Sequence, residues 1–521
     1  MALTSCQCLA GGWSFLARSG CVNTRSWRGN VRSCHTRATT WPPDPDWANH
    51  RILGDLVGCS AASHISLPWN VQGELHMSPD TIHPPIEAPR RSPPTPLLPS
   101  TITRGALILL PSAAALGPFL PVAGPFFAYR VMVLALAFAA LLPGMPGRRG
   151  RVAALPLILI WTLFLIGGMI DAPDYDLAMK MALAVSIGLL CILALERLAF
   201  CVEALRFLEL GWIVAFIVTG TLGLRESLTG IHYGGYLSTV ELARVDTRLV
   251  ASVFGNPNAF AVFLVMSQPF LHMLALGAKR SSVRLIGVGL IGLNFVLVLV
   301  TGSRLGLAAT VIQLGLFMLL HGGTRSATSL VAATIGIVTL SSVGVLDKLI
   351  PLLPGKVAPF LEILLNGGSG LSQDASGVGR LNLYRDGIWL LQESWGLGLG
   401  PGAYQWNLLN SELPYPTGNV GSPHNGYLEI AVEFSALTLL ALLIWLVRAA
   451  NIFVRSRKNE ALQNLRANAL LASMGGISIM CLANSSFLSS ATTWMWLSTI
   501  GAYAAALSLD DSRVTPVRRH P

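Results

Sequence analysis

Residues 285–321 read LIGVGLIGLNFVLVLVTGSRLGLAATVIQLGLFMLLH. Two apolar runs, 285–301 and 304–321, meet at Gly302, Ser303 and Arg304. Runs of this length cross a hydrocarbon core of ~30 Å as helices, because only a helix satisfies its own backbone hydrogen bonds in lipid. Comparable runs recur near 105–123, 126–144, 152–170, 177–195, 207–224, 254–276, 327–346, 427–447, 467–484 and 491–508. The expected fold is therefore an all-α polytopic integral membrane protein of about twelve transmembrane helices, with a long external loop that carries short amphipathic helices. Pro111, Pro118, Pro121 and Pro125 interrupt the first two runs.

Composition agrees. Of 521 residues, 52% are hydrophobic and 12% charged, against roughly 25% charged in a soluble domain, and the mean hydropathy is +0.58. The net charge of +10 lies in short clusters between apolar runs rather than along one soluble face, which argues for topology signals and against a nucleic-acid partner. No spacing among the eight cysteines resembles a zinc site or a disulfide framework.

Residues 1–103 form a separate polar, Pro- and Arg-rich region expected to be disordered, with no acidic residue before Asp44. Its Arg-rich start resembles an organellar transit peptide; the preferred reading is a start-site artefact, with translation beginning at Met77. Residues 104–508 are expected to form the transmembrane domain, and 509–521 a basic cytoplasmic tail.

Short-loop Lys and Arg mark the cytoplasmic side. Arg148, Arg149 and Arg151; Arg197 and Arg206; Lys279, Arg280 and Arg284; Arg325; Arg448, Arg455, Arg457, Lys458 and Arg466; and Arg513, Arg518 and Arg519 all fall on one side of a twelve-span arrangement. Both termini are then cytoplasmic, and the long connections 225–253 and 347–426 are external. An external loop as long as 347–426 is too long for a plain connector, so the chemistry is expected there.

Arg248 precedes Gly255, Asn256, Pro257 and Asn258 at the mouth of the sixth run. Asn256 followed by Pro257 has the form of a helix N-cap and first helical residue. Arg248 beside that N-terminus invites an anion. Arg304 occupies either a tight external turn or a break within the membrane; it either snorkels to headgroups or binds a partner. In the long loop, residues 380–394 read as an amphipathic helix on which Arg380 and Tyr384 share a face. Gly396, Gly398, Gly400 and Gly402 permit a tight backbone path, with no phosphate-loop lysine after them. The loop closes with GSPHNGYLEIAVEF at 421–434, which places His424 on the same side as the three arginines. Either it is an interfacial polar residue, or a proton acceptor beside a site for a polyanion such as a diphosphate.

RLVASVFGNPNAFA at 248–261, TGSRLG at 301–306, the Gly379–Arg380 pair followed by WGLGLGPGAY at 395–404, and PHNGYLEIAVEF at 423–434 resemble the O-antigen ligase and polymerase superfamily of membrane proteins acting on polyprenyl-linked glycans. The resemblance extends over about 105–508. It implies an inverting, metal-independent and cofactor-free glycosyltransferase in the bacterial inner membrane, working on the periplasmic face. The implied donor is a glycan on undecaprenyl diphosphate, and the implied acceptor is lipid A-core or another saccharide. Arg248 and Arg380 match the arginines that hold the donor diphosphate, His424 the base that activates the acceptor hydroxyl, and Arg304 the arginine of a serine-arginine motif. Asn256, Asn258, Tyr384, Asn425 and Glu429 are supporting candidates, and Glu429 or Glu433 is placed by helical spacing to orient the imidazole. Where relatives carry glycines after the acidic residue, this chain has Phe434, Ser435, Ala436 and Leu437, which bears on local helix packing. Ligase, polymerase, protein-glycosylating and non-catalytic transporter readings remain open; clustering of polar residues at one external face, rather than at the bilayer midplane, argues against the last.

Overall fold

The computed structural model describes residues 101–123, 125–141, 152–198, 202–233, 249–342, 375–417, 420–421, 423–457, 460–482 and 487–514. The alternative start at Met77, Arg248 and the first part of the long loop lie outside them. Fourteen α-helices follow one another among the described residues: α1 (Thr101–Leu116), α2 (Ala128–Leu141), α3 (Leu155–Ile170), α4 (Tyr175–Leu198), α5 (Val202–Thr229), α6 (Pro257–Gly277), α7 (Ser281–Val300), α8 (Arg304–Ser342), α9 (Ala375–Glu393), α10 (Ala403–Asn410), α11 (Gly426–Phe434), α12 (Ala436–Ser456), α13 (Ala461–Cys481) and α14 (Ala491–Val514). A small antiparallel pairing of β1 (Pro121–Ala123) with β2 (Phe126–Phe127) lies between α1 and α2.

The expectation of a polytopic helical membrane protein holds; fewer than the twelve expected spans stand out by length and apolarity among the described residues. Among the described residues, six helices are long and apolar enough to cross a bilayer: α4, Ala204–Thr229 of α5, α6, α7, Arg304–Gly323 of α8, and α12. Helices α1, α2 and α3 are apolar but only 16, 14 and 16 residues long, and at ~1.5 Å per residue they fall short of ~30 Å. Polar residues dilute α13 (Gln463, Asn464, Arg466, Asn468) and the end of α14 (Asp510, Asp511). The run expected at 327–346 continues α8 past a kink at Gly323, where φ is 60°. The run expected at 427–447 is split at Ser435, whose φ of 103° ends α11 and whose hydroxyl caps α12 by accepting from Thr438 N.

Side chains sort as lipid exposure requires. Phe138, Leu163, Leu285 and Val447 stand outward, where water would penalise them and hydrocarbon does not. The interior is built on aromatic stacks: Trp161 lies 5.2 Å from Trp494 and 5.9 Å from Phe434, and Trp212 stacks on Phe270 at 5.1 Å. Helices approach closely at small residues, as at Gly211, where an added Cβ would sit 2.7 Å from the Ile108 carbonyl of α1.

Register fixes which helix ends share a face. Helices α6 and α8 run parallel, with Gly306 against Ala261 and the His272 ring 4.4 Å from that of Phe317. Helix α13 runs antiparallel to them, with Gly476 on Gln313 and Gly277 against Leu462 and Leu465. One end of the bundle thus holds Asn256, the α7–α8 corner, Leu482 and, through the Gly168–Gly400 contact, the end of α3. The other end holds Lys279, Arg280, Arg284, Arg455 and Arg457. There, buried Arg466 of α13 pairs with Glu209 of α5 at 2.6 Å, and Tyr503 of α14 donates to the same carboxylate at 2.7 Å.

Candidate active site

Helix α9 starts at Ala375, earlier than the sequence suggests, and buries Leu383 and Leu390 against Tyr404, Leu408 and Val432. The Gly-rich turn that follows has φ of 72°, 85°, 97° and 75° at Gly396, Gly398, Gly400 and Gly402, a path that side chains resist. Its backbone is tied to α11: Leu399 N donates to Val432 O (2.7 Å), Gly400 N to Glu433 O (3.0 Å) and Gly402 N to the Glu433 carboxylate (3.1 Å). The glycines therefore let the loop thread between α3 and α11, and that places α9 over the start of α11.

Asn425 is the N-cap of α11, accepting from Tyr427 N at 3.0 Å and Leu428 N at 3.1 Å. His424, immediately before it, takes a left-handed φ of 50°. A non-glycine residue there stores strain that surrounding structure must hold in place. The imidazole is half-buried and its Nδ1 has no hydrogen-bond partner among the described residues. Burial, and then the charge of Arg380, lower its pKa to about 4.

The structure brings Arg380, Tyr384 and His424 together. Arg380 acts electrostatically on both His424 and Tyr384. The Tyr384 hydroxyl donates to the Leu482 carbonyl at the end of α13 and makes a long contact of 3.5 Å with the His424 carbonyl. Arg304 opens α8 directly after the Gly302 turn, half-buried, with Ser303 Oγ accepting from Gly306 N at 3.2 Å. It lies at the same end of the bundle as Leu482, on the register of α8 against α13. Asn256 caps α6 by accepting from Ala259 N at 2.8 Å, the role its Asn-Pro sequence suggests, and Asn258 sits in the first turn of that helix. Arg248 is outside the described residues.

Glu429 departs from the expected arrangement. Its carboxylate accepts from Phe487 N at 3.1 Å, and that of Glu433 from Gly402 N, so both buried acids hold backbone rather than the imidazole. A backbone amide far along the chain outcompetes a side chain one turn away, because a buried N–H left unpaired is costly.

Chemically, the arrangement offers a neutral imidazole beside a guanidinium. An imidazole accepts a proton only when neutral, and both burial and Arg380 disfavour its protonated form, so His424 stays competent well below pH 6.5. For a reaction in which His424 accepts a proton, the acid limb of kcat/KM is expected near pH 4 rather than at 6.5. Arg380→Ala removes a lowering influence and should move that limb upward; a limb that stays put, or moves down, argues against the pairing.

Residues 289–443 match the protein-family model described as O-Antigen ligase. That segment contains Arg304, Arg380, Tyr384, His424, Asn425 and Glu429, and not Arg248, Asn256 or Asn258. The chain is also 24% identical over 369 residues to the protein named Teichuronic acid biosynthesis protein TuaE of Bacillus subtilis (strain 168), across 68% of this chain and 72% of the relative. Both comparisons agree with the resemblance to the O-antigen ligase superfamily carried by the motifs.

Proposed function

We propose that this O-antigen ligase-like membrane protein is a glycosyltransferase that moves a glycan from undecaprenyl diphosphate to an acceptor hydroxyl, with lipid A-core as acceptor. The observation that carries the reading is the grouping of Arg380, Tyr384 and His424 at the bundle end that also holds Arg304, inside the matched segment. The basic helix ends lie at the opposite end, which supports a cytoplasmic assignment for that face, cytoplasmic termini and a periplasmic site in the inner membrane. On this reading 104–508 is the transmembrane domain, with the shorter and more polar helices completing about twelve crossings beside the six long apolar ones.

The acceptor oxygen attacks the anomeric carbon on the face opposite the diphosphate, with inversion, as its proton passes to the His424 imidazole. The carbon–oxygen bond to the diphosphate breaks and its electron pair leaves on the diphosphate. Arg380 and Arg304, with Arg248 by its motif, stabilise that charge. A diphosphate leaves readily, so this scheme uses no general acid, metal or cofactor.

A polymerase that joins lipid-linked repeats is the second reading, favoured by the relative whose name places it in teichuronic acid biosynthesis. Gene deletion followed by electrophoresis of lipopolysaccharide and secreted polysaccharide separates the two. Core-only lipopolysaccharide with accumulated lipid-linked polymer is the expected result; core capped by a single repeat means a polymerase. Unchanged glycans in the deletion strain overturn both.

A further inference from the structure

Glu226, in the last turn of α5, is 2% exposed. Its Oε1 accepts from Ala251 N at 3.2 Å and from His232 Nδ1, and its Oε2 accepts from Ser252 N. An acid at the negative end of a helix opposes the field there, and its charge disfavours an anion bound nearby. Its contribution is therefore geometric: one carboxylate gathers three N–H donors from two segments of chain. His232 must carry its proton on Nδ1 to make this bond, which orients the carboxylate from the other side.

The segment so held is fastened on its far side as well. Val250 N donates to Val300 O at 3.2 Å, and Leu249 packs under Gly302, where φ is 63° and an added Cβ would lie 2.7 Å from Leu249 Cδ2. Ser252, at a left-handed φ of 54°, donates its hydroxyl to Thr219 O at 2.7 Å. Residues 249–252 are thus pinned between α5 and the α7–α8 corner. Arg304 follows that corner by two residues, and Arg248 is the residue just before the pinned segment.

We propose that Glu226, held by His232, is a positioning residue for the anion-binding corner, setting the 249–252 segment and the Gly302–Arg304 turn at the spacing that receives the donor diphosphate. This rests on the reading under Proposed function. The sequence around it, LRESLTGIHYG at 224–234, carries no signal for the role, because the partners lie across a long connection.

The test uses the full chain in lipid nanodiscs, with farnesyl diphosphate as the probe of the diphosphate site. Glu226→Gln keeps the size and removes a negative charge, which by charge alone tightens anion binding; lost positioning weakens it. The expected result is a Kd about ten-fold higher, with donor KM raised similarly in transfer assays on lipid-linked glycan from the source cells, and kcat within about two-fold. Unfolding temperature read alongside identifies any variant that fails to fold. In that case His232→Asn, which leaves both backbone bonds to Glu226, is expected to weaken binding about three-fold. Unchanged or tighter binding in a folded Glu226→Gln, or unchanged binding in His232→Asn where the first does not fold, overturns the proposal while leaving the proposed function standing. A wild-type protein that does not bind farnesyl diphosphate overturns the proposed function, and this inference with it.

Discussion

Replacing His424 is expected to lower glycan transfer by about 10²- to 10⁴-fold, the range for loss of a positioned base. The left-handed φ of 50° makes the choice of variant matter. Alanine there meets a steric penalty that asparagine tolerates better, so His424→Asn separates loss of the imidazole from backbone strain. Asn425 still caps α11 through its own side chain in both variants, so α11 and the Glu429 contact to Phe487 should persist. Transfer rate in purified protein and glycan profiles in a complemented deletion strain are the readouts. Full complementation by either variant removes His424 from the role of base.

The largest stability effect is expected far from the site. Arg466 is 1% exposed and paired with Glu209 at 2.6 Å, with Tyr503 on the same carboxylate. Glu209→Ala strands a buried guanidinium without its counter-charge and should cost about 3–5 kcal/mol. Glu209→Gln, which keeps an oxygen for Tyr503 and Arg466, should cost less, about 1–3 kcal/mol. Chemical unfolding in detergent measures both; a Glu209→Ala cost below about 1 kcal/mol means that the pair is not what ties α5, α13 and α14 together. Neither substitution touches the residues around His424, so transfer by folded protein should remain.

Local chemistry accounts for what could be read from the chain in advance. Apolar runs predict helices because each helix closes its own hydrogen bonds. Asn256 before Pro257 and Asn425 before Gly426 cap helices through neighbours two or three residues away. The Gly302 turn, the tight path through Gly396–Gly402 and the sharing of a face by Arg380 and Tyr384 are of the same kind.

Helix boundaries depart from the hydropathy runs where composition conceals geometry. Ser435 breaks a run that hydropathy reads as continuous, and α1 stops at Leu116, before Gly117 and Pro118, so hydropathy extends further than the helix. The partner of Glu429 differs from the expected imidazole, and those of Glu226 carry no signal in the sequence, for a different reason. Phe487 lies 58 residues from Glu429, and Ser252 lies 26 from Glu226; no periodicity links such positions.

The sequence by itself determined the helical membrane class, the caps, the turns and the motifs of the superfamily, because these depend on backbone hydrogen bonding and solvent within a few residues. Only the tertiary structure decided that Arg380 shares its field with His424, that Tyr384 reaches Leu482, and that the buried acids hold backbone amides. Those pairings follow from the register of α8 and α13 and from the glycine-lined loop beneath α9. Burial is what gives them force: in a low-dielectric interior every charge and every N–H must find a partner, whichever part of the chain supplies it.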